Sequence, residues 1–96
     1  MKAEFKDKSP RQTLISGKSG KIKCTGVGTP DPQFEWKRDG NKTFDNGRFT
    51  EMPEGSLRVS PVLPGDEGFY ICTMKQNKKH STSAENQEIN VSVIGM

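Results

Sequence analysis

The residues that could do chemistry in this chain are few and far apart. His80 is the single histidine and stands between Lys79 and Ser81 in a polar stretch, where a lone imidazole is ordinarily just solvated. There is no second histidine and no third cysteine to complete a tetrahedral metal site. Asp31, Asp39 and Asp45 fall in separate turns and lack the spacing of a calcium loop. Serine, histidine and aspartate all occur, but no local sequence marks an activated nucleophile. Gly26-x-Gly28 is too little for a phosphate loop, and no helical pattern follows it. The expectation is a chain with no catalytic residues, no metal and no cofactor, whose function lies in its surface.

The elements that shape such a surface are short β-strands. Lys21 to Thr25 alternates with Ile22 and Cys24 on one side, and Phe34 and Trp36 share a side in the next strand. Between them, residues 26–32 are punctuated by Gly28, Pro30 and Pro32 and read as a loop. Asp39-Gly40 is a hairpin signal, followed by a short strand over 42–44 and a turn over 45–47. Strands over 48–52 and 56–59 follow, the second with Leu57 and Val59 inward, and Val62 closes the core beneath the next turn. Strand 68–75 places Tyr70, Cys72 and Met74 on the core side, with Phe69, Ile71 and Thr73 facing out. Residues 76–86 read as a long polar loop, and Ile89, Val91 and Val93 alternate inward in a last strand, leaving Asn90 and Ser92 outward. Residues 1–9 read as a flexible leader or the start of the first strand, which continues beyond Pro10, and residues 95–96 as a tail. The absence of any helical period makes the chain an antiparallel β-sandwich.

Asp66-Glu67-Gly68-Phe69-Tyr70-Ile71-Cys72 reads D-x-G-x-Y-x-C, with Cys24 upstream, Trp36 twelve residues after it, and Leu57 before the aspartate. This order resembles that of immunoglobulin domains from about Pro10 to Val93. The short segment over 42–44 and the lack of room for a further strand are similar to the intermediate, or I-set, type. The resemblance implies a Greek-key sandwich in which Cys24 and Cys72 form one inter-sheet disulfide and Trp36 packs on it. It also implies that Tyr70 bonds back to the backbone at a tyrosine corner, that Gly68 supplies a positive φ, and that Arg48 pairs with Asp66 to hold a turn closed. Gly20 departs from the pattern, standing where a small apolar residue is usual, so the strand it opens should be weak at its start. Gly28-Thr29-Pro30-Asp31-Pro32 through Trp36 to Asp39-Gly40 is loosely similar to Ig domains of neural cell-adhesion receptors such as neuroglian and neurofascin, although most I-set domains share that pattern. The segment after the strand of Cys72 departs from those relatives, with Lys79 near a usual glycine.

Ninety-six residues make one domain, and 29% hydrophobic against 28% charged residues leave a thin core. The net charge of +3 is mild evidence for a polyanionic partner. No apolar run could cross a membrane, so direct insertion is not expected. Nor does one follow Met1 to make a signal peptide, so an extracellular setting would make this chain part of a longer one. Asn41-Lys42-Thr43 and Asn90-Val91-Ser92 are glycan acceptor sequons in a secretory setting. Phe69 and Ile71 could form an interaction patch, although isolated exposed apolar residues are ordinary. Lys75, Lys78, Lys79 and His80 could meet heparan sulfate or an acidic protein, or simply be a solvated face. Nucleic acid is not expected, because the basic stretch lacks aromatic residues to stack bases. The leading expectation is a protein-recognition module of a cell-surface adhesion molecule or receptor, whose partner could be another Ig domain, homophilic or heterophilic. The alternatives are a structural module of an intracellular muscle protein of the titin or twitchin kind, and a growth-factor or heparan-sulfate-binding domain of a receptor kinase or matrix proteoglycan.

Overall fold

The first strand of the chain changes sheets, and that change sets the topology. In the computed structural model, which describes residues 3–6, 8–38, 44, 47–78 and 81–95, β1 (Glu4–Phe5) pairs antiparallel with β4 (Gly26–Val27). After Pro10 the chain crosses over, and β2 (Arg11–Ile15) runs parallel to the end of β9 (Ser81–Ile94). Proline suits such a junction, since its missing N–H would weaken any strand that continued straight through. The larger sheet has the order β2-β9-β8-β5, with β5 spanning Gln33–Arg38 and β8 Gly68–Lys78. The opposing sheet has the order β3-β7-β6, built from Gly20–Ile22, Leu57–Val59 and Phe49–Glu51.

Alternation along these strands puts one apolar row from each sheet into the space between them. Ile22, Phe49, Leu57 and Val59 face Trp36, Tyr70, Cys72, Ile89 and Val91, with Leu14 and Val62 closing one end. Cys24 and Cys72 are joined by a disulfide across this layer, between Cα atoms 6.7 Å apart. The bridge closes a loop with a sequence separation of 48. Trp36, the cross-strand partner of Cys72, is buried in the same cluster. Its indole N–H donates to the carbonyl of Gly55 at 2.7 Å. Gly55 is itself buried and has φ +115°, and a Cβ there would meet the Phe34 ring at 2.8 Å. The turn before β7 therefore requires glycine both for its backbone and for its space.

Several elements differ from the sequence reading. Gly26–Val27, expected in a loop, is a strand because β1 lies alongside it; a Cβ on Gly26 would come within 2.5 Å of Met74 Sδ, so the missing side chain makes room for the methionine. Gly20 leaves no gap at the start of β3: a Cβ there would meet Leu14 and Val62 at 2.9 and 3.0 Å, so these two side chains already fill the space. The largest difference is in the stretch over 76–86, where residues 76–78 and 81–86 are strand. β8 and β9 form one uninterrupted antiparallel ladder from Gly68↔Val91 to Lys78↔Ser81. Gln76 faces inward there and is buried, accepting the Ala3 N–H at 2.8 Å and donating to the Pro30 carbonyl at 2.9 Å. An inward polar side chain is tolerated because both ends of its amide are paired. The hairpin signal and turn over 39–43 and 45–46 lie outside the described residues.

A thin core makes the bridge the main device holding the layers together. In the chain-entropy account a loop of this length contributes about 4 kcal/mol. Replacing Cys24 and Cys72 together by alanine should lower the unfolding free energy in urea by about that amount. A loss under about 1 kcal/mol would mean that packing around Trp36 holds the sheets together unaided.

Candidate recognition surface

The surface is oriented by the turn that feeds β8. Pro64–Asp66 makes one 3-10 turn, in which the Asp66 carboxylate accepts the Leu63 N–H at 2.8 Å. Arg48, at the entry to β6, grips the same carboxylate with two nitrogens at 2.7 and 2.9 Å and donates to the Pro61 carbonyl at 3.0 Å. Tyr70 is fully buried and its hydroxyl donates to the Asp66 carbonyl at 2.6 Å. The Arg38 guanidinium lies over the phenol ring, 4.9 Å from its centroid. Gly68, with φ +140°, starts the strand. Asp66 and Arg48 thus act within the fold, and the pair fixes which way β8 faces.

Burial by itself pushes the Asp66 pKa upward. The Arg48 hydrogen bonds, the Leu63 N–H and the charges of Arg48 and Arg38 outweigh it, so the carboxyl titrates below its ordinary range. Burial dominates at Tyr70, where it overrides the nearby guanidinium of Arg38 and pushes the phenol up to about 12.

With Tyr70 and Cys72 turned inward, Phe69 and Ile71 face out. Phe69 is 43% exposed and Ile71 half-buried. Each lies in a row of exposed neighbours: Phe69 with Asn90 and Arg11, and Ile71 with Lys37 and Glu88. Asn90 therefore stands beside Phe69 on one face, and a glycan on it would cover the phenyl ring. Lys75 is on this face too but is engaged by Glu35 at 2.7 Å, and the same contact lowers the Glu35 pKa. For Lys78 the structure describes the backbone, which pairs with Ser81. Asn41, Lys79 and His80 lie outside the described residues. Among the described residues no group of three or more His, Cys, Asp or Glu could hold a metal, and no helix is long and apolar enough to cross a membrane.

The corner, the pinned tryptophan and the sheet orders occur together in one family, and the model of the immunoglobulin I-set domain matches residues 3–93. The chain belongs to the immunoglobulin I-set family. This I-set domain is 36% identical over 73 residues to the cell adhesion molecule Dscam2 of Drosophila melanogaster, covering 75% of this chain and 4% of that protein. It is 36% identical over 72 residues to human Roundabout homolog 3, covering 74% of this chain and 5% of that protein. The chain thus spans a small fraction of the curated relatives it matches. Among solved structures, the complex of titin M10 with an obscurin-like 1 Ig domain superposes with a TM-score of 0.75 at 24% identity, covering 98% of this chain and 95% of that one. The N-terminal four Ig domains of Dscam1 superpose with a TM-score of 0.73 at 20% identity, covering 98% of this chain and 25% of that one. At these identities the structural likeness speaks for the fold.

The sequence reading missed two residues that shape this region, Gly55 and Gln76. Gly55 was visible only as a turn residue, and nothing local shows that its carbonyl anchors Trp36. Gln76 was hidden by its polarity.

The corner makes a double pH prediction. Tyr70 is the only tyrosine in the chain, so phenolate absorbance reports it alone. A phenol raised in the folded state stabilises fully below its unfolded pKa of about 10 and loses that contribution as pH rises toward the folded value. The native titration should have its midpoint near 12; a midpoint near 10 would mean an exposed ring. Asp66 has the opposite sign: its contribution is present above the unfolded pKa of about 3.9 and disappears as pH falls through the lower folded value. Asp66→Asn should therefore cost about 3 kcal/mol at neutral pH and flatten the acid limb of the stability curve.

Proposed function

We propose that this domain is a non-catalytic protein-recognition module in the extracellular part of a cell-surface adhesion molecule or receptor. The observation that carries the reading is the similarity to the cell adhesion molecule Dscam2 and to Roundabout homolog 3 at over a third identity across about three-quarters of the chain. The bonded Cys24–Cys72 pair is consistent with an oxidising compartment. The face bearing Phe69 and Ile71 is the surface we assign to recognition, because it combines exposed apolar area with a charged rim of Lys37, Glu88 and Arg11. A partner with its own Ig fold fits this flat, mixed surface. Heparan sulfate is the weaker partner, since Glu35 already occupies Lys75.

The titin-like alternative shares the fold and differs in compartment. Expression through the secretory pathway of eukaryotic cells separates the two. Intact mass before and after glycosidase, with thiols counted under denaturing conditions, should give no free thiol, a glycan on Asn41 and a bare Asn90. Two free thiols with no glycan would contradict the extracellular reading. A glycan on Asn90 would remove Phe69 from the recognition surface.

A further inference from the structure

The outer faces of the two sheets differ in how charge is balanced. On the larger sheet cations and acids are interleaved: Lys75 meets Glu35 at 2.7 Å, and Lys37 and Glu88 flank Ile71. The smaller sheet gathers cations. Ile22, Leu57 and Val59 are buried, so alternation turns Lys21 of β3 and Arg58 of β7 outward, and both are exposed. The register sets these two cations directly across from each other. Like charges in opposed positions weaken the ladder they sit in. Lys23 extends the row. The Gln12 amide accepts its N–H at 2.7 Å and donates to its carbonyl at 2.9 Å, which holds the main chain beyond the end of β3. With Cys24 buried, Lys23 is exposed on the same side as Lys21. Hydroxyls border the three cations: Thr50 is the cross-strand neighbour of Arg58, and Ser19 and Ser60 share a hydrogen bond of 2.8 Å in the next outward row. Glu54 reaches Lys21 at 3.3 Å. Among the described residues neither Lys23 nor Arg58 has an ion-pair partner.

We propose that the outer face of the smaller sheet binds a linear sulfated polysaccharide through Lys21, Lys23 and Arg58. The site lies on the opposite sheet from Phe69 and Ile71, so it goes beyond the protein-recognition reading; it rests on that reading for the extracellular setting in which such chains occur. Adjacent strands are about 5 Å apart and alternate residues of one strand about 7 Å, so the three cations form a triangle that can meet more than one sulfate. The chemistry of the face selects this ligand. A protein partner needs an apolar centre, and of the large apolar side chains that are exposed, Ile15, Val27, Leu63, Phe69 and Ile94, none belongs to β3, β6 or β7. Bases would find no ring to stack on, since Phe49, the aromatic residue of these strands, is buried. A sulfated chain needs what is present: cations spread over a flat surface, with hydroxyl donors beside them. Glu54 competes for Lys21, but an exposed ion pair contributes little, so a sulfate can displace its carboxylate.

Heparin is the probe, and its affinity for the oxidised domain at physiological salt is the readout. The domain should bind, and Lys23→Gln with Arg58→Gln should weaken binding about tenfold. Lys75→Gln, which removes one charge from the larger sheet, should change it less than about twofold. Glu54→Gln frees Lys21 and should tighten binding, whereas Glu35→Gln, the same change in net charge, should not. Should the double variant fail to fold, judged by circular dichroism, the two glutamate variants decide. A domain that does not bind heparin overturns the proposal. So do equal losses from Arg58→Gln and Lys75→Gln, or equal gains from the two glutamate variants, because attraction would then follow net charge alone. Tighter binding to a polyglutamate peptide, or to vesicles containing phosphatidylserine, overturns the choice of ligand. Each of these results leaves the recognition reading standing, because that rests on the thiol and glycan measurement.

Discussion

One covalent constraint orders this domain. The Cys24–Cys72 bond crosses the layer between the sheets, and Trp36 lies beside it with its indole N–H held by the Gly55 carbonyl. With only 29% hydrophobic residues, the chain has little else to keep two sheets together. The buried residues gather around this pin: Ile22, Leu57 and Val59 on one side, Tyr70, Ile89 and Val91 on the other. Away from it the sheets need not match in length, and they do not. β3, β6 and β7 are three residues each, while β8 has eleven and β9 fourteen.

The second constraint is electrostatic and acts at the start of β8, a few residues before Cys72. Asp66 is buried, and its charge is tolerable there because Arg48 and a backbone N–H use its oxygens. Tyr70 closes the same turn through the Asp66 carbonyl. Since strand residues alternate, fixing Tyr70 inward commits Phe69 and Ile71 to the outer face. The face we assign to recognition is thus a consequence of the core. The same alternation carried into β9 makes Asn90 the neighbour of Phe69 and points the main-chain groups of Thr82, Ala84 and Asn86 away from β8.

Much of this was legible because it depends on local spacing. D-x-G-x-Y-x-C displays the corner, the inward cysteine and the outward Phe69 in seven residues. Period-2 alternation located Ile22, Leu57, Val59, Ile89 and Val91, all of them buried. The unread features depend on contacts distant in sequence. Gln76 is polar, and only Ala3 and Pro30 explain why it can face inward. Without that, residues 76–86 have too few apolar positions to look like strands. Gly26 and Val27 form a strand only because β1 arrives beside them. Phe69 and Ile71 were readable as outward residues, but their neighbours Arg11, Lys37 and Glu88 come from three other strands whose register no single segment encodes.

Hydrogen exchange along β9, followed residue by residue at high dilution, tests this account most directly. A sandwich pinned at Cys24–Cys72, with a hairpin paired on one side only, predicts slow exchange for the Ile89 and Val91 amides. From Thr82 to Glu88 it predicts alternation: odd-numbered amides, bonded to β8, slow, and even-numbered amides fast. Uniform protection across this stretch would mean that another part of the chain covers the edge. Uniformly fast exchange would mean that the hairpin beyond the pinned core does not hold together.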